Sequence, residues 1–324
     1  MAPLKIFAFD YVAAGGATAR RRPGWLRRQG DMLRQALLAD LGALPEVELV
    51  TMPAPGSPEE GPAFDARVAA CMAAADAVWP LASESEGVLE RVSRDVLHAG
   101  RILLGSAPGA VRVAASKLEM ARTLAAGGVP VAATYSPHAA VPDAPGAWIV
   151  KPDDGAGCFD IRLFGDRAAA LAAARGAAHD HVLQPFVAGR LGSLSLLCCD
   201  GAARVLSCNL ERVAVRNNRF YFLGSTVNGL GDHDGALDRL ARRVAAAIPS
   251  LWGYVGVDFV LGERGAVVLD VNPRLTAAYA GLRASIGANP AGLVLGLLKE
   301  PAAMPAPPEV RRAVSVDLGP DGGA

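Results

Sequence analysis

Asp258, Asp270, Asn272 and Arg274 carry the groups in this sequence best placed to do chemistry together. In "AVVLDVNPRLTAAY", residues 266–279, an apolar run breaks into a carboxylate, an amide and a guanidinium at alternate positions. Side chains at i, i+2 and i+4 of a strand share a face, so the three are predicted at one sheet rim. Pro273 lies between them on the other face and signals the end of the strand. Upstream, "GVDFVL" and "AVVLDVN" flank "GERG", a turn signal for an antiparallel hairpin. Residue 264, midway between Asp258 and Asp270, falls in that turn. The two carboxylates are therefore expected opposite one another, with Cβ atoms about 4.5–5.5 Å apart. Like charges that close repel unless something positive lies between them. A divalent cation, Mg²⁺ or Mn²⁺, held by Asp258, Asp270 and the Asn272 carbonyl and completed by phosphates and water, meets that need. Neutralisation by Arg274 and a second Arg is the plain alternative.

A second element is "WIVKPDDGAGC", an apolar strand that carries Lys151 into a loop with Gly155 and Gly157. Glycines let backbone N–H groups approach phosphate oxygens while the lysine supplies charge. The order differs from a Walker A loop, because the lysine precedes the glycines and no GK[ST] follows. Only four of the 32 basic residues are lysines: Lys5, Lys117, Lys151 and Lys299. Where Arg is the default cation, a Lys in an apolar strand calls for a reason, and a point charge on a flexible stem suits phosphate. Lys117, which opens the helix "KLEMARTL", is a candidate second phosphate contact or a surface residue of a first turn.

The elements that must position these groups fall into two styles. Residues 4–106 alternate strand and helix, as in "LKIFAFDYV", "WLRRQGDMLRQALLADL" and "VELVTM", which argues for a parallel sheet with helices on both faces. "SESEGVLERVSRDVLHAG" is expected as a helix opened by a capping box, Ser83 with Glu86. No GxGxxG follows the first strand, which excludes the usual dinucleotide fingerprint. From residue 107, two short helices lead to strands "VPVAATY" and "AWIVKP", a return strand "DIRLF", "HVLQPFVAGR" and then several hairpins. Residues 301–324 read as a peripheral strand and a frayed end.

At 324 residues the chain has room for one large or two to three small domains. Thirty-two basic residues balance thirty-two acidic ones, which argues against a nucleic-acid or membrane-surface binder. No apolar run reaches the length of a membrane span, and the start has no cleavable signal pattern. Five cysteines without a CxxC pair fit a reduced cytoplasm, with no disulfide frame and no zinc site. Glu84 and Glu86 could meet a substrate amine, but helix capping is the preferred reading. Cys158 is read as simply small, and His179 and His181 lack ligand spacing.

Lys117, Lys151 with its glycines, "QPFVAG", Asp258 and "DVNPR" occur in an order that resembles the ATP-grasp superfamily over residues 107–290. The resemblance implies an α/β (α+β) ATP-grasp fold with an N-terminal Rossmann-like pre-ATP-grasp domain, residues 1–106. A small lid subdomain (107–187), a C-terminal subdomain (188–300) and a Pro/Gly-rich tail (301–324) would follow. ATP would be clamped between two antiparallel sheets. Lys117, Lys151, Gly155 and Gly157 would meet its phosphates, and backbone from Gln184 through Phe186 to Val187 its adenine. Asp258, Asp270 and Asn272 would hold Mg²⁺, with Arg274 near the transferred phosphoryl group. "FDYVAAGG", the helix "LRRQGDMLRQALLADL" and "VLDVNPRLTAAYAGL" further resemble tyramine–glutamate ligases of methanofuran-type cofactor synthesis. Two departures stand out. Leu191 occupies a position where many relatives place a ribose-binding Glu, for which Glu211 is a candidate substitute. Gly256 stands where many amino-acid ligases place an Arg, which passes charge neutralisation to Arg274, helped by Arg212 or Arg283. The resemblance implies a cytoplasmic ATP-dependent ligase of a small-molecule carboxylate and an amine, releasing ADP and phosphate, for which a homodimer is allowed. A small-molecule kinase and a nucleotide-binding regulator are the rival readings.

Overall fold

Alternation of apolar strands and amphipathic helices in the first hundred residues produces a parallel sheet. The computed structural model describes residues 2–11, 24–52, 62–155, 158–300 and 304–318. Its first unit runs β1 (Leu4–Asp10), α1 (Gly24–Gly42), β2 (Val47–Val50), α2 (Pro62–Ala74), β3 (Ala77–Leu81), α3 (Val88–His98) and β4 (Ile102–Leu103). The sheet order is β2-β1-β3-β4, all parallel. Phe7, Phe9 and Val78 pack on one face against Phe64, Val92 and Val96, whereas Ile6, Ala77 and Trp79 pack on the other against Leu37 and Leu41. This is the period-2 alternation of a strand buried on both sides.

The capping box expected at Ser83 and Glu86 does not form. Residues Ser85–Gly87 make one 3-10 turn, with Glu86 at φ 58° and Gly87 at φ 64°. The Ser83 hydroxyl accepts from the Ser85 N–H and donates to Ser85 Oγ, so it caps no N–H of α3, which starts after Gly87 without a side-chain cap. A left-handed Glu86 cannot be the third residue of a helix, so the S-x-x-E pattern here describes a turn. The strand expected over "VPVAATY" reduces to two isolated bridges, Val131 to Val268 and Tyr135 to Leu183. Gly15, Gly16 and Gly157 lie outside the described residues.

The second unit contains α4 (Pro108–Ala115), α5 (Lys117–Ala126), β5 (Trp148–Pro152), β6 (Arg162–Phe164), α6 (Arg167–Arg175), β7 (His181–Pro185), β8 (Arg190–Cys199) and β9 (Ala202–Arg216). Next come β10 (Arg219–Val227), α7 (Ala236–Ala247), β11 (Gly253–Gly262), β12 (Gly265–Asn272), α8 (Tyr279–Ile286), α9 (Pro290–Lys299) and β13 (Val314–Asp317). The strands form one hydrogen-bonded sheet in the order β12-β11-β8-β9-β10-β6-β5-β7, with β13 on β10. The two sheets expected from the resemblance are therefore joined, among the described residues by the pair Arg219–Arg162 and its flanking hydrogen bonds from Leu163 N–H to Asn218 and from Phe220 N–H to Ile161. Among residues 304–318, the expected peripheral strand is β13.

Two cores sandwich the larger part of this sheet. Leu194, Leu196, Val255, Val257 and Phe259 face Met120, Leu124, Leu240 and Val244 of α5 and α7. Leu197 and Tyr254 face the opposite way, into a core shared with Leu37, Trp79, Tyr279, Leu282 and Val294. That second core joins the first unit to the second. A smaller cluster, Trp148, Val150 and Leu183 with Ala170 and Ala174, holds α6 on β5 and β7.

Candidate functional site

The β11–β12 hairpin brings Asp258 and Asp270 opposite each other, as their spacing predicts. It does so by an indirect route. The turn is tight, with Gly262 paired to Gly265, and a ladder of that register would set Asp258 against Leu269. A bulge at Leu269 shifts the pairing by one and restores the Asp pair. It also lets Val268 and Val271, three residues apart, both enter the helical core. The Leu269 carbonyl accepts from Lys151 Nζ at 3.2 Å.

Asp258 and Asp270 differ in surroundings. Lys117 Nζ lies 3.8 Å from Asp270 Oδ2. Asp258 accepts from Asn272 Nδ2 at 3.0 Å, and the positive charge of Arg274 acts on it less than the negative charges of Glu211 and Asp270. Burial, then the charges of Glu211 and Asp270, push the Asp258 carboxyl up to about 7. Glu211 lies on β9; its Oε1 accepts from Ser193 and Ser225, and its Oε2 is buried without a partner. Burial raises the Glu211 carboxyl also.

Both lysines are buried, at 4% and 5% exposure for Lys117 and Lys151. Lys117 is thus no surface residue of a first turn. Its helix is capped by Ser116, whose Oγ accepts from the Glu119 N–H, while Asp153 binds both Ser116 Oγ and the Leu118 N–H. Asp153 follows β5, so the loop after Lys151 anchors the helix that carries Lys117. Lys117 Nζ donates to the Gly155 carbonyl at 2.7 Å. Burial lowers Lys151 to about 8, against the opposing pull of Asp270. Cys158, at the loop's far side with φ 60°, is pushed up to about 12 by burial, as expected of an inert small residue.

Arg274 lies just beyond β12. Its Nη2 donates to Asn272 Oδ1 at 3.1 Å, its Nη1 to the Leu275 carbonyl, and its Nε to Glu84 Oε2 at 2.8 Å. Glu84 comes from the turn after β3 in the first unit and is 7% exposed. This contact was not legible in the capping reading of "SESE". The usable signal was position, since ligand sites of parallel sheets form beyond the carboxyl ends of strands. The next residues of that turn touch the glycine loop, where the Glu86 N–H donates to Asp154 Oδ2 at 2.6 Å. A narrow cavity lined by Trp79, Leu89, Val111, Tyr254, Pro273 and Arg274 adjoins the pair.

Two expected helpers of Arg274 are committed elsewhere. Arg212 neighbours Glu211 on β9 and points the other way, donating to Asp317 at 2.5 Å and to the Val316 carbonyl of β13. Arg283 pairs with Asp40 of α1 at 3.1 Å. Gly256 has a steric reason, because a Cβ there would stand 2.4 Å from Thr276 Cγ2. Gln184 is buried and its amide donates to Thr134, whereas Phe186 is exposed on the same rim and Val187 partly so.

No three His, Cys, Asp or Glu side chains among the described residues converge tightly enough to cage a metal by themselves. The donor set nevertheless fits a hard cation that brings its own oxygens. Asp258, Asp270 and Asn272 supply oxygen ligands, and the unpaired Glu211 Oε2 leaves the cluster short of positive charge.

The chain belongs to the ATP-grasp domain family, whose model matches residues 114–278. The pre ATP-grasp 3 domain model matches residues 54–111. An Archaeoglobus fulgidus protein ascribed to the ATP-grasp superfamily is similar over 97% of this chain and 92% of its own, with 22% identity and a TM-score of 0.71. An L-amino acid ligase from Bacillus licheniformis is similar over 93% of this chain and 74% of its own, at 16% identity and TM-score 0.61. A D-alanine–D-alanine ligase from Bacillus anthracis, complexed with ATP, is similar over 83% and 86%, at 14% identity and TM-score 0.58. No curated protein matches the chain.

Proposed function

We propose that the protein is an ATP-dependent carboxylate–amine ligase that works through an acyl phosphate. The observation that carries this reading is the convergence of buried Lys117 and Lys151 on Asp270, beside Asp258 and Asn272. Lysines there bind phosphate oxygens, and the rim binds a divalent cation, which supplies charge neutralisation and orientation for the phosphates when bound. Lys151 is set by its bond to the bulge carbonyl, and Lys117 by its bonds to the glycine loop. Both reach phosphate by exchanging a carbonyl partner for a more strongly charged one. Residues 184–187 form the adenine rim, and Glu211 offers its unpaired oxygen to the metal–nucleotide complex. Arg274, held on three sides, is preorganised to stabilise charge on the transferring phosphoryl group.

In this reading a substrate carboxylate attacks the γ-phosphorus and ADP leaves. A free-base amine then attacks the acyl carbon; the C–N bond forms, the acyl C–O bond to phosphate breaks, and the proton lost from nitrogen goes to the departing phosphate or water. A tyramine- or tyrosine-like amine with glutamate as the acid is the pairing that the sequence resemblance favours. Reactions of amino acids with amines, tyramine, tyrosine and glutamate included, should release ADP and phosphate in proportion to amide. Release of AMP and pyrophosphate would overturn the mechanism. Steady ADP formation without amine, with a surviving phosphorylated product, would favour the kinase reading.

A further inference from the structure

A buried carboxylate oxygen without a donor sits where the two units meet. Glu84 Oε2 is satisfied by Arg274 Nε at 2.8 Å, but Oε1 is buried and receives no hydrogen bond. Leaving such an atom unpaired costs about 1–3 kcal/mol, more for a charged group, so its persistence calls for an explanation. Arg274 cannot supply the missing donor, because Nη1 and Nη2 are turned to Leu275 and Asn272. Lys117 and Lys151 are held across the cleft by the glycine loop and the bulge. The turn that presents Glu84 is itself fixed, by Glu86 N–H on Asp154 and by Leu89 N–H on the Ser83 carbonyl. Oε1 is thus an unused acceptor at the junction, on the carboxylate whose other oxygen holds the guanidinium assigned to the phosphoryl group.

We propose that Glu84 is the binding residue for the amine co-substrate: Oε1 receives its ammonium group, which gives up one proton to water or phosphate to become the nucleophile. The inference rests on the ligase reading and deepens it. The nucleophile has to lie beside the acyl phosphate, and Glu84 is the acid that touches Arg274 from the side of the first unit. The ligand class is a primary amine that is cationic in water. The same carboxylate repels a second acid from this position, so one residue separates the two substrates by charge.

The test uses the full chain and two amine probes, tyramine and ethylamine, with 4-ethylphenol as the charge-free analogue. With β,γ-methylene-ATP present, the wild type should bind each amine at least tenfold more tightly than 4-ethylphenol. Glu84→Gln should weaken amine binding at least tenfold and leave nucleotide binding within twofold. Glu84→Asp, which keeps the charge but withdraws it, should fall between, and it carries the test if the Gln variant does not fold. Hydroxylamine, a small neutral nucleophile at pH 7, separates binding from positioning. With the acid selected by ADP release, Glu84→Gln should lose amide formation at least tenfold more than hydroxamate formation, because both reactions share whatever Arg274 loses with its partner. An equal loss of hydroxamate and amide would make Glu84 only a positioning residue for Arg274 and overturn the proposal. So would equal amine affinity in wild type and Glu84→Gln, or wild-type amine binding no tighter than that of 4-ethylphenol. Absence of hydroxamate with every acid in the wild type would instead overturn the ligase reading itself.

Discussion

Two aspartates on one hairpin rung experience different fields. Asp270 has Lys117 within 3.8 Å, whereas at Asp258 burial and the charges of Glu211 and Asp270 outweigh the opposing charge of Arg274. The repulsion inferred from their spacing therefore falls on Asp258. Its carboxyl rises from 3.8 to about 7 in the folded chain. A raised acid stabilises the fold below its unfolded value, and that contribution is lost as pH climbs toward the folded value. In metal-free protein, Asp258→Asn should thus match wild type near pH 4 and gain stability through pH 7, by about 2–4 kcal/mol at pH 8. Thermal melts in chelator check this, and a gain that is the same at pH 4 and pH 8 would refute it. Activity should fall at least a hundredfold. Asp270→Asn should instead destabilise, since it strips two buried lysines of their nearest carboxylate. Lys151 shows the mirror case, lowered to about 8 by burial. Nucleotide phosphates favour its charged form, so binding a metal-free ATP analogue at pH 8.5 should take up protons. Calorimetry in buffers of different ionisation enthalpy measures that uptake, which Lys151→Met should abolish. Lys151→Arg should keep charge yet weaken binding, because a planar fork needs more room than the bulge carbonyl and glycine loop leave.

At the scale of elements, the same sequence signal has two outcomes. Ser116 with Glu119 caps α5, whereas Ser83 with Glu86 makes a turn of two left-handed residues. Glu86 is exposed and strained at φ 58°, so Glu86→Gly should stabilise by about 0.5–1 kcal/mol, read as a rise in melting temperature. A fall would mean that the Glu86 side chain holds the turn. The contrast shows what was legible. Period-2 patterning and the "GERG" turn brought Asp258 and Asp270 to within one residue of register, because both are local, and the bulge set them opposite. The bulge was hidden, yet it leaves a trace in Val268 and Val271, two core residues at a spacing no regular strand would bury. The direction of Arg212 was hidden because β9 runs on past its well-buried first half, Val205 to Asn209, into half-buried positions on both faces. The partnership of Glu84 with Arg274 spans 190 residues and depends on how two units dock, which no local pattern encodes.

The whole molecule has to hold Glu84 and Arg274 in register, although they belong to separately built sheets. Direct contacts at the cleft are few, so the docking rests on the shared core and on a polar latch behind it. Asp40 of α1 is 4% exposed and accepts from Tyr279 Oη at 2.9 Å and from Arg283 Nη1 at 3.1 Å. Its backbone carbonyl accepts from Asn289 at 2.8 Å, at the cap of α9. Burial raises the Asp40 carboxyl despite both side-chain donors, so the latch carries a desolvation cost that its hydrogen bonds offset. Asp40→Ala leaves the buried Tyr279 hydroxyl without its acceptor and should cost about 2–4 kcal/mol. Asp40→Asn keeps an acceptor for Tyr279 and removes the buried charge, so its cost should be smaller. In scanning calorimetry, Asp40→Ala should split a single transition into two as the first unit melts ahead of the second. The two lysines and the Asp rim lie within the second unit, so ATP binding below the first transition should stay within threefold of wild type. The amine KM should rise at least tenfold, because Glu84 enters from the unit that has loosened. If ATP affinity falls in parallel with amine affinity, the units do not divide the substrates in this way. If neither changes while stability drops, the apolar core alone sets the register and the latch is purely structural.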